Sequence, residues 1–200
     1  FSSARGMRVY EGERGTVVEN VKRALSLVES CEGFAKLIPE IGSNIGYALR
    51  DAKSEKEVVG VVGRIRAARG RARSLGEVDF GASSHVARMI VEMMKFDERR
   101  RAAVNIAYSP EILRACEKMG LRVARVERMR EPSGISGREG KSLGWATNEA
   151  VRGARARGIP DAIYYTANVG KEPSVVIFGE DAVGVARKAV RIAKLFIPRA

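Results

Sequence analysis

A chain of 200 residues with 45% hydrophobic content can build one sizeable core or two small ones, which excludes disorder as its general state. Its 36 Lys and Arg against 24 Asp and Glu leave a net charge of +12, so the expected partner is anionic: nucleic acid, an anionic membrane surface or a small phosphorylated molecule. Cys31 and Cys116 sit in apolar helical stretches rather than at metal-ligand or redox spacing, and read as buried thiols of a cytoplasmic protein.

The longest apolar runs fall far short of the roughly 20 residues of a membrane span. Arg outnumbers Lys 26 to 10 and Gln is absent, a composition expected of an organism living hot. A chain that opens at Phe1 is expected to be part of a longer polypeptide. Residues 1–14 are polar and charged and read as a linker or loosely attached arm.

From Thr16, a candidate cap, to about Cys31, the residues Val17, Val18, Val21, Ala24, Leu25 and Val28 form one apolar stripe of a helix. The turn-rich Pro39 to Asn44 precedes a strand at Ile45 to Leu49. Val58 to Ala67 is rich in β-branched residues and reads as one strand carrying Arg64, and Arg69 to Gly76 reads as a basic connector. Phe80 leads through Gly81-Ala82-Ser83-Ser84 into His85, after which Val86, Ile90, Met93 and Met94 mark a helix face.

Ala103 to Tyr108 is strand-like, and Ser109-Pro110 starts a helix with serine as N-cap and proline at the first helical position. Leu121 to Val126 reads as a strand, Glu131 to Lys141 as a glycine-rich loop and Leu143 to Arg157 as a helix. Short strands at Asp161 to Tyr165 and Ser174 to Phe178 lead to a last helix capped by Asp181. This alternation predicts an α/β domain, a single layered core spanning residues 15–200 with helices packed on a mixed β-sheet.

The strongest local signal for chemistry is Phe80 to Arg88, where small residues at a strand-to-helix turn run straight into the sole histidine. Unpaired N–H groups at a helix start attract anions, Gly81 permits close approach, and Ser83 and Ser84 can cap the helix or bond a phosphate oxygen, with Arg88 one turn along. An ordinary capped helix with a surface histidine has the same spacing. Arg64 offers a planar, bidentate grip on phosphate, whereas the run Arg99 to Arg101 and the cluster Arg66 to Arg73 read as solvated faces. Asp161 and Glu40 are candidate magnesium ligands, and one histidine with two distant cysteines provides no zinc site.

Pro39 to Asn44, Gly63-Arg64-Ile65, Phe80 to Arg88, Asn105 with Tyr108, Pro160-Asp161 and Gly170 to Pro173 resemble, in order and spacing, the archaeal ThiN-type thiamine-phosphate synthase domain over about residues 15–197. The resemblance implies that hydroxymethylpyrimidine diphosphate is joined to a thiazole phosphate to give thiamine monophosphate and diphosphate, with Arg64 and His85 catalytic. It further implies magnesium with the diphosphate and, in many members, fusion behind a hydroxymethylpyrimidine kinase. Ser43, Asn44, Gly81, Ser83, Ser84, Arg88, Asn105, Asp161 and Lys171 are the candidate substrate-binding residues.

The alternative is a non-catalytic domain that senses thiamine phosphates, as in related repressors that carry a helix-turn-helix and lack this arginine and histidine. Both residues are present here, and residues 1–14 cannot hold a DNA-binding unit. No nucleic-acid or membrane partner is expected, since no recognised module or interleaved aromatics accompany the basic runs, and a homodimer is compatible with the chain.

Overall fold

The computed structural model describes residues 9–127, 130–132, 134–135, 141–165 and 172–195. In chain order its elements are α1 (Gly12–Ser30), β1 (Ile45–Ala48), β2 (Val58–Val61), β3 (Ile65–Ala68), β4 (Arg71–Ser74), β5 (Val78–Phe80), α2 (Ser84–Met94) and β6 (Ala102–Ala107), followed by α3 (Pro110–Lys118), β7 (Val123–Val126), α4 (Lys141–Gly153), β8 (Ala162–Tyr165), β9 (Ser174–Gly179) and α5 (Ala182–Leu195). Short 3₁₀ turns occupy Phe34–Leu37, Glu55–Glu57 and Arg155–Arg157.

Among the described residues the main sheet has seven strands in the order β5-β2-β1-β6-β9-β8-β7, all neighbours antiparallel except the parallel pair β7 and β8. Its central strands, β6 and β9, are buried on both faces and read as nearly unbroken apolar runs, as strands covered on both sides must. Helices α1 and α5 cover one face, with Val21, Val28, Phe34, Ile177 and Ile192 in its core, and α3 packs beside α5. On the other face α2 and α4 cover Ile90, Met93, Ile163 and Phe178. Each such large side chain contributes about 1.5–3 kcal/mol by leaving water, so the two layers hold the sheet between them.

The apolar stripe of α1 is the one expected, but the helix starts at Gly12, and Thr16 bonds back to the Gly12 carbonyl instead of capping. Residues 12–14 of the expected arm thus belong to this helix. Tyr10 donates to Asp79 at 2.6 Å and the Arg14 guanidinium lies 3.9 Å from the Phe80 ring centroid, which ties residues 10–14 to β5. Ser109 caps α3 by accepting from the Ile112 N–H at 3.2 Å, and Asp181 accepts from the Gly184 N–H at 2.8 Å at the start of α5, both as expected.

The expected strand from Val58 to Ala67 is instead two strands, β2 and β3, broken by a turn at Val62, Gly63 and Arg64. The basic connector is largely β4, which pairs with β3 as a separate two-stranded ribbon. Among the described residues no helix is long and apolar enough to cross a membrane.

Candidate functional site

The polar cleft forms where β1 begins and β2, β6 and β8 end. The segment after β5 doubles back over the sheet here, and Gly60 makes room for it: a Cβ on Gly60 would stand 3.0 Å from Ser83 Cβ and 3.3 Å from Asn44 Oδ1. Gly81 makes the reversal at φ +70°, a conformation open to glycine without a Cβ penalty. Ser83 is the N-cap residue of α2 and makes no side-chain cap bond, so the first N–H groups of the helix face the cleft without intrahelical partners.

The cleft is small, about 80 Å³, and is lined by Ile41, Gly42 and Asn44 on one side and by Arg64 and Asn105 beside them. Ala82 to Val86 close the other side, and no carboxylate is among these described lining residues. An arginine and a helix N-terminus without an opposing acid make the local field positive.

Arg64 lies in the β2–β3 turn rather than on a strand, at φ +72°, and its Nη1 donates to the Ile41 carbonyl at 2.6 Å. One N–H of the five in the guanidinium is thereby committed and the fork is held toward the cleft. The turn that receives it is held from its other side too: Glu172 accepts from the Glu40 N–H at 2.9 Å and the Ile41 N–H at 3.1 Å, while Arg66 donates to the Glu40 carbonyl at 2.6 Å.

His85 sits on the first turn of α2, with Nε2 2.8 Å from the hydroxyl of Tyr165, which in turn accepts from Ser174 Oγ at 2.7 Å. Asn44 and Asn105 form the buried floor. Asn44 Oδ1 accepts from the Ile45 and Val61 N–H groups and its amide donates to the Val61 carbonyl. Asn105 Oδ1 accepts the Asn44 N–H at 2.7 Å and its amide donates to the Gly42 carbonyl at 3.1 Å. These two side chains are largely spent on shaping the backbone of the cleft.

A scan of family models matches residues 20–191 to "Thiamine-phosphate synthase ThiN". The chain belongs to this family. It is 41% identical over 179 residues to the thiamine-phosphate synthase ThiN of Methanothermobacter thermautotrophicus, covering 90% of this chain and 93% of that one. It is also 34% identical to the bifunctional thiamine biosynthesis protein ThiDN of Methanocaldococcus jannaschii, where the match covers 90% of this chain but only 41% of the larger protein. The crystal structure of the C-terminal domain of a phosphomethylpyrimidine kinase superposes with a TM-score of 0.82 at 35% identity, covering 88% of this chain and 98% of that one.

Within this ThiN-family domain the structure brings together Arg64, His85, Ser83, Ser84, Asn44 and Asn105. It does not bring in four other expected binding residues. Ser43 is fully buried beside the cleft and absent from its lining, because its neighbours Gly42 and Asn44 take the two lining positions. Gly81 serves the turn and is exposed outside the lining. Arg88 is engaged by Glu55, with Nε 2.7 Å from Oε2. Asp161 lies at the end of β8 away from Tyr165, bonded to Arg100 at 2.6 Å and to Arg122 at 2.9 Å. Lys171 lies outside the described residues, as do residues 1–8, most of the expected glycine-rich loop and the segment 166–170.

Tyr165, Ser174 and Glu172 escape the sequence reading as site residues. The first two look like ordinary strand positions, and only their direct pairing in the β8–β9 register places them together beside His85. Cys116 is buried, and burial pushes its thiol up to about 11, so it is a poor nucleophile. Among the described residues no group of three or more His, Cys, Asp or Glu could hold a metal ion, so these residues do not fit a protein-built magnesium cage.

Proposed function

We propose that the chain joins hydroxymethylpyrimidine diphosphate to hydroxyethylthiazole phosphate, giving thiamine monophosphate and diphosphate. The observation that carries this reading is the convergence of Arg64 and His85, from two separate turns, on one acid-free cleft at the start of α2. In this reaction the bond from the pyrimidine methylene carbon to the diphosphate oxygen breaks, and the thiazole nitrogen lone pair forms the new bond to that carbon. The electron pair leaves on diphosphate, so the chief demand on the protein is to stabilise growing negative charge while holding the two rings in line.

Arg64 meets that demand with the N–H groups not committed to Ile41, in a geometry suited to two phosphate oxygens. The open N–H groups at the start of α2, with the Ser83 and Ser84 hydroxyls, add neutral donors at the positive end of the helix dipole. His85 donates a hydrogen bond to a phosphate oxygen. Asn44 and Asn105 keep the floor rigid, and each retains an amide hydrogen for a substrate acceptor. Magnesium, expected with the diphosphate, is held in this reading by phosphate oxygens and water. A pyrimidine kinase, separate or fused as in the bifunctional relative, supplies the diphosphate ester.

The decisive experiment supplies both purified substrates to the wild type, Arg64→Ala and His85→Ala and measures thiamine monophosphate. Turnover by the wild type with large losses in both variants is expected. Binding of thiamine phosphates without turnover would favour a sensor, and unchanged turnover in both variants would overturn the assigned roles.

A further inference from the structure

Strands β3 and β4 pair as a two-stranded ribbon in which Arg66 stands directly opposite Arg73, so both side chains leave the same face. The other face is the packed one, with Ile65 and Ala72 fully buried. Like charges facing each other across a ladder are destabilising. Among the described residues no carboxylate pairs with either arginine; their partners are main-chain carbonyls, Glu40 at 2.6 Å for Arg66 and Ala72 at 3.4 Å for Arg73. Arg71, two residues before Arg73 on the same strand, does have an acid in reach, Glu32 at 3.8 Å.

This rung adjoins the cleft. Arg64 and Arg66 donate to the consecutive carbonyls of Ile41 and Glu40, each at 2.6 Å, which sets the two guanidinium groups on one turn. Arg66 also lies against the cleft-lining Gly42, where a Cβ would stand 3.1 Å from Arg66 Nε and 3.2 Å from its Cδ. The cleft itself, about 80 Å³, is well below the roughly 300 Å³ or more of an ordinary small-molecule site. Two phosphorylated ring compounds must therefore extend beyond it. The diphosphate has Arg64 and the start of α2, whereas the thiazole phosphate, carried on a two-carbon arm away from the attacking nitrogen, needs cations of its own.

We propose that Arg66 and Arg73 form the subsite for the acceptor's phosphate monoester, each guanidinium offering paired N–H donors to one phosphate that bridges the rung. The inference rests on the synthase reading for which phosphate monoester is bound. Filling the subsite relieves the repulsion that the free ribbon carries, and Arg64 then stands beside both anionic groups. The pairing across the ladder, rather than spacing along the chain, singles these two out from the other arginines of the cluster.

The experiment follows diphosphate release with hydroxyethylthiazole phosphate or unphosphorylated hydroxyethylthiazole as acceptor, beside calorimetric binding of hydroxyethylthiazole phosphate, in the wild type, Arg73→Ala and Arg73→Glu. Arg73 is exposed and its one bond, to Ala72, is long, so its substitution should not disturb the fold. Arg73→Ala should raise KM for the thiazole phosphate roughly tenfold or more, the range of a lost hydrogen bond to a charged group, while KM for the pyrimidine diphosphate moves far less. The preference for the phosphorylated acceptor over the unphosphorylated one should fall by the same factor. Arg73→Glu sets a carboxylate opposite Arg66, and should raise the thermal midpoint while binding the thiazole phosphate more weakly than Arg73→Ala does.

An unmoved KM for the thiazole phosphate in both variants overturns the subsite and leaves a solvated face. An equal rise for both substrates, the mark of a general field, or a larger rise for the diphosphate overturns it as well, and a thermal midpoint lowered by Arg73→Glu contradicts the opposed-charge argument. Under each of these results, turnover by the wild type keeps the synthase reading. Conversely, a wild type that binds hydroxyethylthiazole phosphate and loses it in Arg73→Ala, yet releases no diphosphate, keeps the subsite and removes the synthase reading. Neither binding nor turnover in the wild type removes both.

Discussion

Arg64 and Glu172 hold the same residue, Ile41, from its two sides: the guanidinium donates to the Ile41 carbonyl at 2.6 Å, and the Ile41 N–H donates to the carboxylate at 3.1 Å. Glu172 also accepts from the Glu40 N–H, so its two oxygens clamp two successive backbone donors. Hydrogen bonds to a charged group contribute about 1.5–3 kcal/mol each when well formed. The clamp therefore sets the position of the carbonyl that orients Arg64, and charge at position 172 acts on the cleft without entering its lining.

Releasing the clamp should loosen Arg64 more than it loosens the fold. For Glu172→Ala, which removes both bonds, we expect kcat/KM for the diphosphate substrate to fall about tenfold or more and the thermal midpoint to drop by a few degrees. Glu172→Gln, whose amide oxygen still accepts, should lose less. Steady-state kinetics on the two variants check this, and wild-type values for Glu172→Ala would mean that the 39–42 turn holds Arg64 unaided.

Arg64 itself is held at φ +72°, where a residue with a Cβ is strained by on the order of 1 kcal/mol or more. A strained backbone at the side chain proposed to grip diphosphate separates stability from activity in a testable way. Arg64→Gly relieves the strain while losing the bond to Ile41, so its thermal midpoint should stay near that of the wild type. Arg64→Ala keeps the strain and loses the bond, and should be less stable than Arg64→Gly by about 1 kcal/mol. Both should lose roughly 100-fold or more in turnover, the effect of removing one preorganised charge-stabilising donor. Thermal unfolding and the product assay together decide it; an alanine variant more stable than the glycine variant would contradict the argument.

The helices were legible in the sequence because their buried stripes follow the 3.6-residue period, as Val17 to Val28 does on α1. The β3–β4 ribbon was not, although Arg71, Ala72 and Arg73 alternate between exposed and buried as a strand should. Its turn places both Arg69 and Gly70 at positive φ, at 51° and 74°, and arginine is a weak signal for a tight hairpin that requires that conformation twice. Arg64 and His85 stand out in the sequence by their motifs and do line one cleft, whereas the pairings of Arg88 and Asp161 depended on partners far along the chain, Glu55 for one and Arg100 and Arg122 for the other. Charge in a sequence shows that a residue can bind an anion or cation; only the fold shows whether another residue has already taken it.

Asp161 illustrates a charged group consumed by structure. Its side chain is 15% exposed. Burial alone would raise its pKa, but hydrogen bonds from the side chain and backbone of Arg122 and from Arg100 outweigh that and bring the carboxyl from an ordinary 3.8 down to about 2. The folded protein thus holds this proton less readily than the unfolded chain does, so the stabilisation is fully present above the unfolded value of 3.8 and is lost as pH falls through about 2.

Allowing for screening through the half-exposed Arg122, the contribution at neutral pH is about 1–2 kcal/mol. Asp161→Asn should lower the unfolding free energy by that amount at neutral pH, and its stability curve should converge on the wild type's toward the acid limit. Because Asp161 sits at the opposite end of β8 from Tyr165, turnover under folded conditions should stay within about twofold of the wild type, as for sites that do not couple. Urea titrations across the acid range, run beside the product assay, test both halves: a variant that keeps its stability but loses turnover would return Asp161 to the substrate-binding set.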